Sequence, residues 1–170
     1  MKYIVIDIET TGLYPERGDK IIEIAALPIV DDRLLIEKSY NQLINPGIMI
    51  PENITNLVNI TDDMVKDAPS IDKVLPEFLD YIGNTPLIAH NASFDIGFLN
   101  FYLKALNMKR IENRIIDTLI LSREVFDTEK THNLDIVAER LGLKENIKRH
   151  RALGDSILTA KVFLKLRNML

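Results

Sequence analysis

The chain has 170 residues, of which 46% are hydrophobic and 27% charged, with a formal net charge of −4 and no cysteine. This length suits one domain with a substantial core, so we expect residues 1–170 to form a single domain. The composition excludes disulfides and thiolate metal sites, and no apolar stretch approaches the roughly 20 residues of a membrane span. Oxygen or imidazole ligands would have to hold any metal. Without a signal-peptide pattern, a cytoplasmic location is expected.

The first half of the chain is predicted to form strands. An apolar run from Tyr3 to Glu9 indicates a strand that is buried on both faces. Residues 21–30 and 34–44 are apolar-rich runs separated by the charged turn at 31–33, which predicts an antiparallel meander of three strands. The segment 45–47, Asn-Pro-Gly, ends the meander.

The second half alternates helices with short strands. The pattern becomes helical from Thr55, and N-caps are expected at Thr61, Ser70 and Asn133. The remaining predicted elements are a helix over 71–82, a strand over 86–89, a helix over 92–106, a strand over 114–117, and helices over 118–126, 134–141 and 152–170. The order predicts an α/β fold with a mixed five-stranded sheet flanked by helices.

Two acidic residues, Asp7 and Glu9, lie two positions apart at the end of the first strand. Side chains at positions i and i+2 of a strand point the same way, with Cα atoms roughly 6.6 Å apart. Both carboxylates are therefore directed at one point beside a dry core. Burial of unpaired like charges is unfavourable, so basic partners or cations must lie there. This is the arrangement that two-metal phosphoryl hydrolysis requires.

Three further acids are candidates for the same site. Asp95 and Asp155 each lie in the first turn of a predicted helix, where the helix dipole favours an anion, so each taken alone can be a surface charge without a chemical role. Asp117 ends a short strand, and its simplest interpretation is a cap for the next helix. Asn91 fits either a helix cap or a substrate contact. Asp95 lies about 100° away from the expected apolar stripe of its helix, which comprises Phe94, Phe98, Phe101 and Ala105.

The histidines are interpreted by their positions. On one continuous helix, His150 and Asp155 would lie roughly 140° apart, so His150 must be in the loop before the helix if both serve one site. A loop histidine suits proton transfer near neutral pH, although by itself it is more often just exposed. His90 is expected to form hydrogen bonds near the strand end, and His132 is expected to be structural.

Three motifs follow one another in order along nearly the whole chain. They are Asp-Ile-Glu-Thr-Thr-Gly-Leu at 7–13, His-Asn-Ala-Ser-Phe-Asp at 90–95 and His-Arg-Ala-Leu-Gly-Asp at 150–155. Together they resemble the DEDD superfamily of 3′–5′ exonucleases, in the DEDDh subgroup whose third motif carries a histidine. Residues 59–61 and 68–69 resemble a linker stretch of that family. Within the superfamily, the likeness is to the epsilon-type proofreading exonuclease subunit or domain of bacterial DNA polymerase III.

The resemblance implies a ribonuclease H-like fold, two Mg²⁺ or Mn²⁺ ions, and nucleoside 5′-monophosphate products. It implies that His150 is the general base for the attacking water. Four acids would bind the metals, namely Asp7, Glu9, Asp95 and Asp155. Four residues would hold the terminal nucleotide through backbone amides, an apolar wedge and a polar contact, namely Thr10, Thr11, Leu13 and Asn91.

The expected substrate is the 3′ end of single-stranded DNA, with a replicative polymerase as an expected partner and the oligomeric state left open. An RNA exonuclease resembling ribonuclease T or oligoribonuclease is the alternative, because the chemistry barely involves the 2′-hydroxyl. The third possible function is that of a catalytically idle module that binds a polymerase. The replicative subunit continues into a polymerase-binding tail, so this protein either acts alone or has a tail outside this sequence. A basic cluster forms either a solvated face or an electrostatic track to the site, namely Lys144, Lys148, Arg149 and Arg151.

Overall fold

A computed structural model describes residues 1–143 and 150–170. The strands in those ranges are β1 (Lys2–Thr10), β2 (Ile21–Val30), β3 (Arg33–Leu34), β4 (Tyr40–Leu43), β5 (Leu87–Ala89) and β6 (Ile115–Asp117). The helices are α1 (Glu52–Val58), α2 (Asp62–Val65), α3 (Ile71–Ile82), α4 (Ala92–Ala105), α5 (Thr118–Val125), α6 (Leu134–Arg140) and α7 (Ala152–Arg167). The predicted α/β fold, with a mixed sheet flanked by helices, is confirmed.

The central strand of the sheet is β1. The strand order is β3-β2-β1-β5-β6, and β4 pairs with β2 as well. β1 runs antiparallel to β2 along its length and parallel to β5. Its apolar run is buried on both faces, as predicted. The register between β1 and β2 shifts between Glu9 and Thr10, so regular pairing ends where the first motif leaves the sheet.

The two faces of the sheet carry separate cores. Helices α3 and α4 pack on the face that includes Ile4, Ile6 and Ile8, whereas α7 packs on the face that includes Val5. Side chains along a strand alternate between faces, so the carboxylates of β1 lie on the Val5 face. The first motif is therefore directed towards the last helix.

The predicted third strand, residues 34–44, is interrupted in the structure. β3 and β4 both pair with β2, but a 3₁₀ turn at Ile36–Lys38 separates them. The hydroxyl of Ser39 donates a hydrogen bond to the Ile36 carbonyl at 2.7 Å. Such local bonds compete with the ladder of a sheet. The meander is confirmed, while the continuous strand is wrong, and the described residues form six strands instead of five.

Helix starts agree with the predicted caps in most places. Thr61 and Asn133 each accept a hydrogen bond from the backbone amide three residues further on. Ser70 occupies the N-cap position of α3 without a side-chain cap bond. The first helix begins at Glu52, before the predicted Thr55, and α7 ends at Arg167, before the predicted end of the chain. No helix within 1–143 or 150–170 has the length and apolar character needed to cross a membrane.

Helix α4 buries a different face from the predicted one. Phe98 is buried as expected, but Phe101 is 38% exposed and Ala105 is exposed as well. The buried positions at the centre of the helix are Asp95, Phe98, Leu99, Tyr102 and Leu103. They follow the i, i+3, i+4, i+7 spacing of a packed helix face. The predicted stripe is confirmed for Phe98 and for Phe94, which packs against the core, and is wrong for Phe101 and Ala105, because the packed face includes an acid.

Candidate active site

Three of the four predicted acids meet at one point. The carboxylates of Asp7 and Glu9 on β1 and of Asp155 in the first turn of α7 offer oxygen atoms that lie within 4.8 Å of one another. The β1 strand and α7 pack directly on each other, which brings the two motifs together. Carboxylate oxygens are the ligands that Mg²⁺ and Mn²⁺ prefer, so the donor set fits a divalent metal site.

Asp95 is buried beside this cluster. It is 4% exposed, and its Oδ1 accepts a hydrogen bond from the Ile8 backbone amide at 3.0 Å. Its carboxylate is not one of the three that lie within 4.8 Å of one another. Burial raises the pKa of Asp95 to about 8 in the metal-free protein; the Ile8 amide opposes this effect and the Asp117 carboxylate adds to it. Asp95 is buried because the face of α4 that carries it packs on the sheet.

His150 lies in the loop before α7, as predicted. Its backbone φ of 58° is in the left-handed region, and Arg151 takes the N-cap position of the helix. The His150 amide donates to Oδ1 of Asp155 at 3.2 Å. The third motif therefore folds back on itself, which brings its histidine and its acid to the same end of the helix.

The segment that follows Glu9 is tied into a compact turn. The Thr10 hydroxyl donates to the Gly12 carbonyl at 2.6 Å, and Thr11 exchanges two hydrogen bonds with Lys20, one through its amide (2.8 Å) and one through its hydroxyl (2.9 Å). Both threonines are buried, whereas the Leu13 side chain is 64% exposed. The Thr11 amide is thus engaged within the turn, and Leu13 is the apolar group presented to solvent.

Close packing against Asp19 requires a residue without a side chain at Gly12, in the first motif. A Cβ atom at Gly12 would lie 2.4 Å from the carboxylate of Asp19, which accepts a hydrogen bond from the Tyr14 amide at 2.8 Å. A larger residue at this position would displace Asp19 and release that bond. The glycine therefore allows the turn that exposes Leu13.

Asp117 is a residue whose main contribution sequence reasoning missed. Its predicted cap is confirmed, since Oδ1 accepts from the Leu119 amide at 2.9 Å. The same carboxylate also accepts from the amides of Asn91 and Ala92, each at 2.9 Å. Asn91 takes the N-cap position of α4 with φ of 62° and makes no side-chain cap bond. The parallel strands β5 and β6 end at the same edge of the sheet. Because Asp117 and the second motif lie at the ends of these two strands, their proximity could have been predicted from the sequence.

His90 forms hydrogen bonds near the end of β5, as predicted, and His132 is held by hydrogen bonds within the fold, which agrees with its predicted structural role. The His90 ring contacts the Thr118 hydroxyl through Nδ1 and donates to the His132 carbonyl through Nε2, both at 2.9 Å. His132 contacts the Ser122 hydroxyl at 3.0 Å and donates to the Glu129 carbonyl at 2.9 Å. All four ring nitrogens have hydrogen-bond partners, which agrees with a role in joining the segments around β5 and α5.

Of the two interpretations of the basic cluster, the solvated face is wrong for Arg151. Its side chain is 19% exposed and pairs with the buried Glu23 carboxylate. Lys144, Lys148 and Arg149 lie outside the described residues.

A mixed sheet whose central strand carries two carboxylates opposite a third on the last helix is an arrangement suited to metal-dependent phosphodiester hydrolysis. Residues 4–163 match the sequence pattern of the RNase T family of exonucleases. The chain belongs to this exonuclease family.

Relatives are found among bacterial proteins named for DNA polymerase III. The chain is 41% identical over 162 residues to DNA polymerase III PolC-type of Clostridium perfringens, a match that covers 95% of this chain and 11% of that protein. It is 41% identical over 167 residues to the DNA polymerase III subunit epsilon-like protein of Rhodobacter capsulatus, covering 98% and 24%. The chain thus spans less than a quarter of the length of either relative.

Solved structures share the fold. Exonuclease X in complex with 5′ overhanging duplex DNA superposes with a TM-score of 0.78 at 26% identity, covering 98% of this chain and 91% of that chain. The nuclease domain of 3′hExo, a DEDDh family member bound to rAMP, superposes with a TM-score of 0.84 at 23% identity, covering 98% and 92%. The predicted ribonuclease H-like fold and the exonuclease class are confirmed.

Proposed function

We propose that residues 1–170 act as one metal-dependent 3′–5′ exonuclease domain, which removes nucleotides from the 3′ end of single-stranded DNA and releases nucleoside 5′-monophosphates. The observation that carries the proposal is the convergence of Asp7, Glu9 and Asp155 within 4.8 Å. In a member of an exonuclease family, this convergence has a direct chemical use, because the scissile phosphodiester and the metal ions that act on it are both held at such a cluster.

The proposed cofactors are two Mg²⁺ or Mn²⁺ ions. When bound, divalent ions activate the attacking water and stabilise the charge on the departing 3′ oxygen. Asp7, Glu9 and Asp155 supply the clustered ligands, and Asp95 is the fourth proposed ligand. The buried position of Asp95 is consistent with this role, because its ionised form is unfavourable without a cation beside it.

His150 is the proposed general base, which takes a proton from the attacking water. Its loop position and its backbone bond to Asp155 support the assignment, because they keep His150 at the acid-bearing end of α7. The exposed Leu13 is the proposed wedge against the terminal base. Thr10, Thr11 and Asn91 are proposed to hold the terminal nucleotide.

DNA is the proposed substrate because the relatives are DNA polymerase III proteins and Exonuclease X is described with DNA. The relatives also make a replicative polymerase the proposed partner, in the cytoplasm of a bacterium. RNA is the second candidate, since a protein of the same fold is described with rAMP.

The test uses 5′-labelled single-stranded DNA and RNA of one sequence, incubated with Mg²⁺ or Mn²⁺. The wild-type protein is compared with Asp7→Asn and with Asp80→Asn, which makes the same chemical change on the exposed surface of α3. We expect a ladder that shortens from the 3′ end of DNA for the wild type and Asp80→Asn only. A ladder on RNA alone would move the proposal to the second candidate. Absence of product on both strands would refute it and restore the idle binding module.

A further inference from the structure

Glu23 is a fully buried carboxylate that the proposed chemistry does not use. It lies on β2 with 0% exposure, directly opposite Glu9 in the register between β1 and β2. Side chains that face each other across neighbouring strands are close, and like charges in such pairs are destabilising. A buried carboxylate also needs hydrogen-bond partners to offset its loss of hydration. The hydrogen-bond donors to the Glu23 carboxylate therefore indicate its structural role.

Three hydrogen bonds to the Glu23 carboxylate come from two residues at the start of α7, Arg151 and Ala152. Arg151 donates from Nη2 to Oε1 at 2.7 Å and from Nε to Oε2 at 2.9 Å, and the Ala152 amide donates to Oε2 at 3.0 Å. Arg151 is the N-cap residue, yet its own side chain makes no cap bond. Glu23 supplies the cap from the neighbouring strand, where a negative charge also complements the helix dipole.

The turn that this pair holds is the one that carries the third motif. The Asp155 amide donates to the Arg151 carbonyl at 2.9 Å, and the His150 amide donates to the Asp155 carboxylate at 3.2 Å. The Glu23 carboxylate raises the pKa of the Arg151 guanidinium above its usual range, and Glu9 adds to this effect. The guanidinium bonds both oxygens of Glu23 and so offsets a buried charge that faces Glu9 across the two strands.

We propose that Glu23 and Arg151 are positioning residues for the exonuclease site. The bidentate pair locks the first turn of α7 onto β2, and Asp155 and His150 are thereby held against the acids of β1. The inference rests on the proposed function, because it concerns the same metal ligands and the same base.

The opposite end of α7 offers a matched control. Arg167 forms the same type of bidentate pair with Asp32, at 3.0 and 2.8 Å, and anchors the helix to the turn after β2. This pair is more exposed than the first, and no proposed ligand lies on its turn of the helix. If Mn²⁺ affinity and kcat fell only because α7 was held less firmly on the sheet, disruption of either pair would lower them.

The experiment compares Arg151→Lys with Arg167→Lys in the full chain. Lysine keeps the charge but cannot form the planar fork that bonds both carboxylate oxygens. Mn²⁺ affinity is measured by isothermal titration, kcat and KM on a short single-stranded DNA, and stability by urea unfolding. Groups that orient metal ligands typically contribute about 10–100-fold to affinity or activity. For Arg151→Lys we expect losses of that size in Mn²⁺ affinity and in kcat, with KM unchanged. Higher Mn²⁺ concentrations should partly restore kcat. Arg167→Lys should leave Mn²⁺ affinity, kcat and KM at the wild-type values.

A double variant, Glu23→Leu with Arg151→Met, separates position from stability, since removal of a whole buried ion pair is often neutral for stability. We expect it to remain folded with low kcat. Recovery of kcat together with stability would overturn the inference, as would wild-type Mn²⁺ affinity and kcat in Arg151→Lys. A wild-type protein that neither binds Mn²⁺ nor cleaves would overturn the proposed function, and this inference with it.

Discussion

Replacement of Asp95 by asparagine tests the electrostatics of the site directly. The carboxylate is 4% exposed and accepts a hydrogen bond from the Ile8 amide, which an asparagine side-chain oxygen can also accept. The variant therefore preserves the shape and the acceptor while it removes the ionisation. Burial raises the pKa of Asp95 from 3.8 to about 8 in the metal-free protein.

The sign of the effect follows from where the proton is bound. Below about pH 4 both native and unfolded chains are protonated at this position, and above about pH 8 both are ionised. Between these values only the native protein holds the proton, so wild-type stability falls as pH rises. Each pH unit in this window corresponds to about 1.4 kcal/mol, so from pH 5 to pH 8 the wild type should lose about 4 kcal/mol relative to Asp95→Asn.

The assay is urea unfolding of both proteins in EDTA at pH 5, 6, 7 and 8. The difference between the two free energies of unfolding should widen in favour of the variant and level off above pH 8. Saturating Mn²⁺ should narrow it, because a cation favours the ionised carboxylate. Parallel stability curves between pH 5 and pH 8 would refute the reasoning, since they would mean that Asp95 is ionised in the metal-free protein.

Three further predictions concern the residues around the acids. His150→Ala should lower turnover by roughly 10²–10⁴-fold while Mn²⁺ binding persists in calorimetry; loss of binding would make His150 a ligand. Asp117→Ala should lower the free energy of unfolding by about 0.5–2 kcal/mol, because the amides of Asn91, Ala92 and Leu119 at two helix starts lose their acceptor, and unchanged urea midpoints would contradict this. Leu13→Ala should raise KM for single-stranded DNA and leave Mn²⁺ affinity unchanged; an unchanged KM would remove its role as a wedge.

The parts of the site that sequence reasoning anticipated depend on short-range geometry. Asp7 and Glu9 point the same way because a strand repeats every two residues, and Asp155 begins a helix that the sequence pattern already indicated. The loop position of His150 follows from its five-residue separation from Asp155. The resemblance supplied the grouping of the three motifs, and the structure confirms it for the three clustered acids.

Each error has its own physical origin. The strand over 34–44 was expected to be continuous, but a local hydroxyl bond at Ser39 interrupts it. The stripe of α4 was assigned by hydrophobicity, which overlooked that a buried acid can belong to the packed face. Arg151 was grouped with neighbouring basic residues, although its partner is on β2.

The sequence by itself determined the class of fold, the acids of β1 and the order of the three motifs, because these depend on periodicities that extend over a few residues. Only the tertiary structure decided that Asp95 is buried against Ile8, that Asp117 holds the start of α4, and that Glu23 pairs with Arg151. The last two residues are separated by 128 positions in the chain. Neither strand nor helix periodicity relates positions so far apart, and only the packing of α7 on the sheet brings them into contact.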